Sequence, residues 1–169
     1  PLNTLYDYSE YVKKYPIPMI THEIGQWCVY PNYDEIKKYT GVLKPYNYQI
    51  FRESLRDHHM LDLAEEFTRA SGKFHLIQKK EEFESYYRTP GMAGYHLLQL
   101  NDFPGQGTSP VGVVDVFWDP KPYVTADEFK SMVSPCLPLL LTSSFVWTND
   151  SIFTGEARIA NFGKSDIKK

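Results

Sequence analysis

The sequence predicts an α/β chain: two βα units of a (β/α)8 TIM barrel, followed by the opening strands of a β-sandwich. Three observations carry that prediction. Two short apolar runs, "IPMITHE" (17–23) and "MAGYHLLQLNDF" (92–103), end in polar residues. Each leads through a long loop into a helical pattern, and a βα-barrel sets its catalytic groups on strand ends and the loops that follow them. After Pro135, "SSFVWTNDSIFTGEARIANFG" alternates apolar and polar residues between turn signals, the period of antiparallel strands. The predicted division is therefore 1–134 for the barrel portion and 135–169 for a linker and the first sandwich strands.

The elements follow in order. "DYSEYVKKY" (7–15) predicts a short helix stopped by Pro16, which lacks the amide a further turn would use. Residues 17–23 form the first strand. The connection 24–44 contains a helical turn in "NYDEIKKYTG", with Asn32 as its cap and Gly41 as its terminator. Mixed three and four spacing of apolar residues over 45–88 predicts two or three helices, separated near Ser71-Gly72. Within them "QKKEEFES" reads as a solvated face. The second strand, 92–103, runs into the loop "PGQGTSPVG", which lacks the Lys-Ser/Thr ending of a phosphate loop and reads as an ordered active-site loop. "TADEFKSMV" (125–133) has a Thr cap and acids in its first turn, a helix start.

Composition excludes several partners. With 18 basic and 21 acidic residues and no basic stripe, the chain has no electrostatic footprint for nucleic acid. No apolar run reaches the length of a membrane span, and the N-terminal residues lack the sections of a signal peptide, so no membrane partner is predicted. The chain has no initiator Met and reads as starting within something longer. Cys28 and Cys136 lie far apart and form no metal or disulfide spacing. His58 and His59 diverge on a helix, which argues against a metal there. "NDS" (149–151) matches the glycosylation acceptor pattern. The 13 Tyr, 10 Phe and 3 Trp supply rings that fill cores and also stack on sugars.

"PMITHEIGQW" resembles the segment of glycoside hydrolase family 2, the β-galactosidase and β-glucuronidase family, in which the seventh barrel strand ends in the nucleophilic Glu. "TPGMAGYHLLQLNDFPGQGTSPVGVVDVFWDPKPYVTADEF" resembles the eighth strand, loop and helix of a bacterial branch often labelled sugar-binding. "FVWTNDSIFTGEARIANFG" looks like the opening of the sandwich after the barrel. The resemblance implies the C-terminal portion of the barrel, its last two βα units, from a retaining exo-acting hydrolase of β-linked sugars in oligo- or polysaccharides. It implies no cofactor and a periplasmic or secreted location. The partners it implies are a carbohydrate substrate and the remainder of the barrel. The acid/base Glu of this family belongs to an Asn-Glu pair, and this sequence contains none. Retaining hydrolysis needs two carboxyl groups about 5 to 5.5 Å apart, so the isolated chain is expected to be inactive. Open strand edges also predict association, as a homo-oligomer where the rest of the barrel is absent. The alternative is a non-catalytic carbohydrate-binding or structural module.

By that resemblance Glu23 is the nucleophile. His22 and Gln26 are placed to hydrogen-bond its carboxylate or sugar hydroxyls. Trp27 and Trp118 lie in the loops after the two strands, where an indole offers a flat apolar face to a pyranose. Gln99, Asn101 and Asp102 end the second strand. Gln99 and Asn101 share one face and Asp102 the other, with Asp102 as a hydroxyl acceptor. No metal ligands are predicted.

Overall fold

The computed structural model describes residues 2–103 and 110–167, so residues 104–109 of the glycine-rich loop lie outside the described residues. The chain divides into two compact units, Pro1–His22 with Lys80–His96 and Ala126–Lys169, and Glu23–Lys79 with Leu97–Thr125. Among the described residues the strands form two two-stranded sheets and no closed barrel. No described helix is long and apolar enough to cross a membrane.

In the first unit, helix α1 (Ser9–Lys14) ends at an extended Tyr15, just before Pro16. Strand β1 (Met19–Ile20) pairs in parallel with β2 (Met92–Gly94), Met19 opposite Met92 and Ile20 opposite Gly94. Both strands are shorter than the predicted runs 17–23 and 92–103. Pro18 has no amide to donate at the start of β1, and the register shifts between Met19 and Ile20, which breaks the ladder. The C-terminal end of the long helix α3 (Ala64–Tyr87) contributes Phe83 and Tyr86 to the core, with Tyr86 stacked on Tyr8 at 5.0 Å between ring centres. Helix α4 (Ala126–Met132) is the predicted one.

Strands β3 (Cys136–Leu141) and β4 (Glu156–Asn161) form an antiparallel pair, in register from Cys136 opposite Asn161 to Leu141 opposite Glu156. Leu137, Leu139 and Leu141 alternate inward, join Ala160, and are covered by Tyr87. Thr4 fastens the N-terminal segment to this hairpin: its hydroxyl donates to the Leu140 carbonyl at 2.6 Å and accepts from the Thr142 amide at 2.7 Å. The first strand of the pair thus lies upstream of the stretch whose alternation predicted strands. "CLPLLL" is apolar on both faces, so its sequence shows no period of two.

The second unit holds helix α2 (Tyr46–Asp57), short 3-10 helices at Tyr33–Lys38 and Leu61–Leu63, and the first four turns of α3. Asn32 caps the first 3-10 helix by accepting from the Asp34 amide, as its position predicts, but the turn closes at Tyr39 and Gly41 has no part in ending it. The expected helix break at Ser71-Gly72 is absent. α3 runs straight through, and the interruption falls earlier, at His58–Met60, where His59 has φ 57°. Gly72 serves close approach instead: a Cβ there would lie 2.2 Å from the Tyr123 ring. The two segments of the second unit meet through an isolated parallel bridge, Ile24 with Leu97, and a second one, Asn101 with Val114, lies within the Leu97–Thr125 segment.

Candidate functional site

The segment after β1 is held by one face of α3. Thr68, Ser71, His75 and Lys79 are spaced three, four and four apart, so they line one side of the helix. Each meets the loop backbone. The Thr68 hydroxyl donates to the Pro31 carbonyl at 3.0 Å, and the Tyr30 amide donates to Ser71 Oγ at 2.9 Å. His75 Nδ1 lies 2.5 Å from the Trp27 carbonyl, and Lys79 Nζ donates to the Gly25 carbonyl at 2.9 Å. His75 is 0% and Lys79 1% exposed. The solvated reading of "QKKEEFES" is therefore overturned: Lys79, Phe83, Glu84 and Ser85 are buried, because the charged run includes the anchoring face. Periodicity of apolar residues alone does not reveal a buried polar stripe.

This anchored loop carries Glu23. Among the described residues, three that are not glycine have left-handed backbone: Glu23 (φ 53°), His59 (φ 57°) and Trp118 (φ 69°). Side chains disfavour that region, and such strain collects at functional sites. Gln26 Nε2 donates to the Glu23 carbonyl at 2.9 Å and to Glu23 Oε2 at 3.3 Å, so one side chain fixes both the turn and the carboxylate. Gly25 (φ 79°) completes the turn, and a Cβ there would meet Leu97 at 2.8 Å and Lys79 Nζ at 2.9 Å. Trp27 leaves the same loop with its side chain 42% exposed.

Trp118 is presented by a second built loop. Asp115 Oδ1 accepts from the amides of Phe117 and Asp119 at 2.8 and 3.0 Å, and the Trp118 amide donates to the Asp115 carbonyl at 3.0 Å. Lys38 reaches Asp115 at 2.5 Å and Asp119 at 2.7 Å, tying this loop to the 3-10 helix. The indole is left 64% exposed.

Asp102 is 2% exposed, and Lys121 bridges both of its oxygens, at 2.7 Å to Oδ1 and 2.6 Å to Oδ2, while the Gly112 amide donates to Oδ1 at 2.8 Å. Burial raises the Asp102 pKa, and Lys121 opposes that rise. Asn101 Nδ2 donates to the Asp102 carbonyl at 2.9 Å, and Gln99 keeps a buried amide oxygen without a hydrogen-bond partner. His22 and His96, in the first unit, face each other with their Nδ1 atoms 3.4 Å apart. Among the described residues no group of three or more His, Cys, Asp and Glu is placed to hold a metal ion.

Sequence reasoning missed Glu35. It is 2% exposed, its Oε2 has no hydrogen-bond partner, and burial raises its pKa to about 7 despite the nearby charge of Lys121. His75 shifts the other way, to about 3, by burial and then the charge of Lys79. Between pH 4.5 and 7 folded Glu35 keeps a proton the unfolded chain has lost, so this group's stabilisation falls as pH rises. Between pH 3 and 6.5 unfolded His75 holds the extra proton, so its contribution rises with pH. The two oppose each other over their shared window. Glu35→Gln is expected to gain stability relative to the parent as pH rises from 4.5 to 7, by on the order of 2–3 kcal/mol. Urea midpoints of both proteins at pH 5 and pH 7 measure this, and a constant difference would show that Glu35 ionises freely.

No family model and no curated protein matches this chain.

Proposed function

We propose that the chain is the C-terminal portion of the catalytic (β/α)8 barrel of a retaining, exo-acting glycoside hydrolase that cleaves β-linked sugars, continued by the start of a β-sandwich. The sequence resemblance to glycoside hydrolase family 2 supports this reading. The observation that carries it is Glu23 itself: an exposed carboxylate on strained left-handed backbone, oriented by Gln26. In this reading Glu23 attacks the anomeric carbon, and the leaving oxygen takes a proton from an acid carboxyl elsewhere in the barrel. Water then attacks the glycosyl-enzyme ester, giving net retention. His22, Gln26, Trp27, Gln99, Asn101 and Trp118 are the proposed sugar contacts; Asp102, buried with both oxygens held by Lys121, is not one of them, and its place in this reading is to fix the end of the second strand run. The chemistry needs no cofactor, and the enzyme is placed in the periplasm or outside the cell. The chain alone would be inactive and would associate through its open strand edges.

Proton NMR of the first-formed product from an aryl β-glycoside tests the reaction on the polypeptide that carries this chain. The β-anomer is expected first, and initial appearance of the α-anomer would rule out double displacement.

The exposed indoles of Trp27 and Trp118 also favour a second reading, a carbohydrate-binding module without catalysis. Trp118→Ala is expected to weaken sugar binding roughly fivefold, from about 1 kcal/mol of lost ring contact, with little change in melting temperature. Calorimetric titration and thermal denaturation check this together. Unchanged affinity with a large loss of stability would make Trp118 a structural residue. Binding without any hydrolysis by the complete polypeptide would favour the module.

A further inference from the structure

We propose that Glu35 is a proton-controlled latch on the loop that presents Trp118: with its carboxyl protonated, Lys38 ties the loop down through Asp115 and Asp119, and once the carboxyl ionises, Lys38 turns to Glu35 and releases the loop. The latch is independent of the hydrolase reading. All of its parts lie in the second unit.

Glu35 is 2% exposed and its Oε2 has no hydrogen-bond partner. A carboxyl so placed is stable while neutral, and as a carboxylate it needs a cation beside it. The charged groups around it are Lys38 on its own 3-10 helix, Asp102 at the end of the 92–103 run, and Asp115 and Lys121 on the segment that follows. Burial, with Glu35 adding to it, raises the pKa of the Tyr39, Tyr48 and Tyr123 phenols, so these stay protonated. Arg52 of α2 acts on Tyr33, at the start of the helix. With Glu35 neutral, the two lysines balance the two buried aspartates. Ionisation leaves one carboxylate too many, and a lysine has to answer it.

Exposure decides which lysine moves. The Lys121 side chain is 4% exposed and holds both oxygens of an equally buried Asp102, so its departure would strand one buried carboxylate to satisfy another. The Lys38 side chain is 30% exposed, and its partner Asp119 is 61% exposed, so water takes over there when Lys38 leaves. Asp115 keeps the amides of Phe117 and Asp119 on Oδ1. Residues three apart on a 3-10 helix eclipse, which sets Lys38 on the same face as Glu35. Burial opposes the charge of Lys38, but its hydrogen bonds to Asp115 and Asp119 outweigh that and raise its pKa to about 12, so it stays a cation throughout. Trp118 sits on left-handed backbone, φ 69°, while the tie is made, and the loop relaxes when the tie is lost. Burial raises the Glu35 pKa to about 7, so the loop is tied below neutral pH and released above it.

The test is fluorine NMR of the complete polypeptide carrying fluorotryptophan, over about pH 5 to 9, with the Trp118 signal assigned by its loss in Trp118→Phe. The Trp118 signal is expected to shift and narrow as pH rises, with its midpoint near pH 7, while Trp147 in the first unit does not follow it. Glu35→Gln, neutral at every pH, should remove the transition and hold the signal at its acid position. Lys38→Met alters a partly exposed chain and leaves the interior carboxyl in place, and it should give the narrow signal of the released loop at every pH. A Trp118 signal that does not titrate in the parent, a transition that persists in Glu35→Gln or in Lys38→Met, or one shared by Trp147 would each overturn the latch.

Discussion

Glu23→Gly in the complete polypeptide is expected to lower hydrolysis by about 10⁴- to 10⁶-fold, the scale on which a covalent nucleophile is lost. Added azide should restore turnover by attacking from the vacated face, giving a glycosyl azide of inverted configuration. The variant should fold at least as well as the parent. Glu23 is exposed, and its φ of 53° is one that glycine adopts without the steric penalty of a Cβ. A gain in stability of up to about 1 kcal/mol alongside lost activity would mark Glu23 as a residue kept in strain for its chemistry. Retained activity, or inactivity that azide leaves unchanged, would remove Glu23 from the nucleophile's role.

The second large effect concerns the interior charge at the end of the 92–103 run. Lys121→Met should destabilise the chain by about 3–5 kcal/mol, because it leaves the Asp102 carboxylate buried with its cation gone. Lys121→Met with Asp102→Asn should recover most of that loss. The amide oxygen of Asn still accepts from the Gly112 amide, and no buried charge is left over. Equilibrium denaturation of the two single variants and the double measures the coupling directly. A cost below about 1 kcal/mol for Lys121→Met would mean that the pair behaves as a solvated one.

The legible parts of the fold were those written in local chemistry. Pro16 ends α1, Asn32 caps the 3-10 helix, and the acids after Thr125 open α4. The position of β1 and β2 was legible from their apolar runs, but their length was not, since it depends on which amides find a neighbour across the ladder. Ser71-Gly72 misled because glycine has two uses. A helix stop and a ring packed against the backbone look alike in sequence, and Tyr123, which decides between them, lies 51 positions away. β3 was hidden by a run apolar on both faces.

At the site, the hydrogen bond from Gln26 to Glu23 was foreseeable, since the two are three residues apart. The polar anchors Thr68, Ser71, His75 and Lys79 were not, because each meets a backbone carbonyl or amide at least 37 positions distant. Glu35 was hidden for the same reason: its burial among Lys121, Asp102, Asp115 and Lys38 is assembled from segments far apart in the chain. A left-handed Glu23 or Trp118 is equally invisible in sequence, where such a backbone suggests glycine. One hint was present, the polar ending of each apolar run.

The role of Glu23 is tested most directly by trapping. The complete polypeptide, inactivated by a slow-turnover 2-fluoroglycoside and digested, should yield one peptide carrying the sugar mass, with fragmentation placing it on Glu23. Fluorine slows breakdown of the ester as well as its formation, so the adduct should survive the digest. A label on any other carboxylate, Asp102 included, would contradict the assignment, and inactivation with no covalent label would contradict double displacement itself.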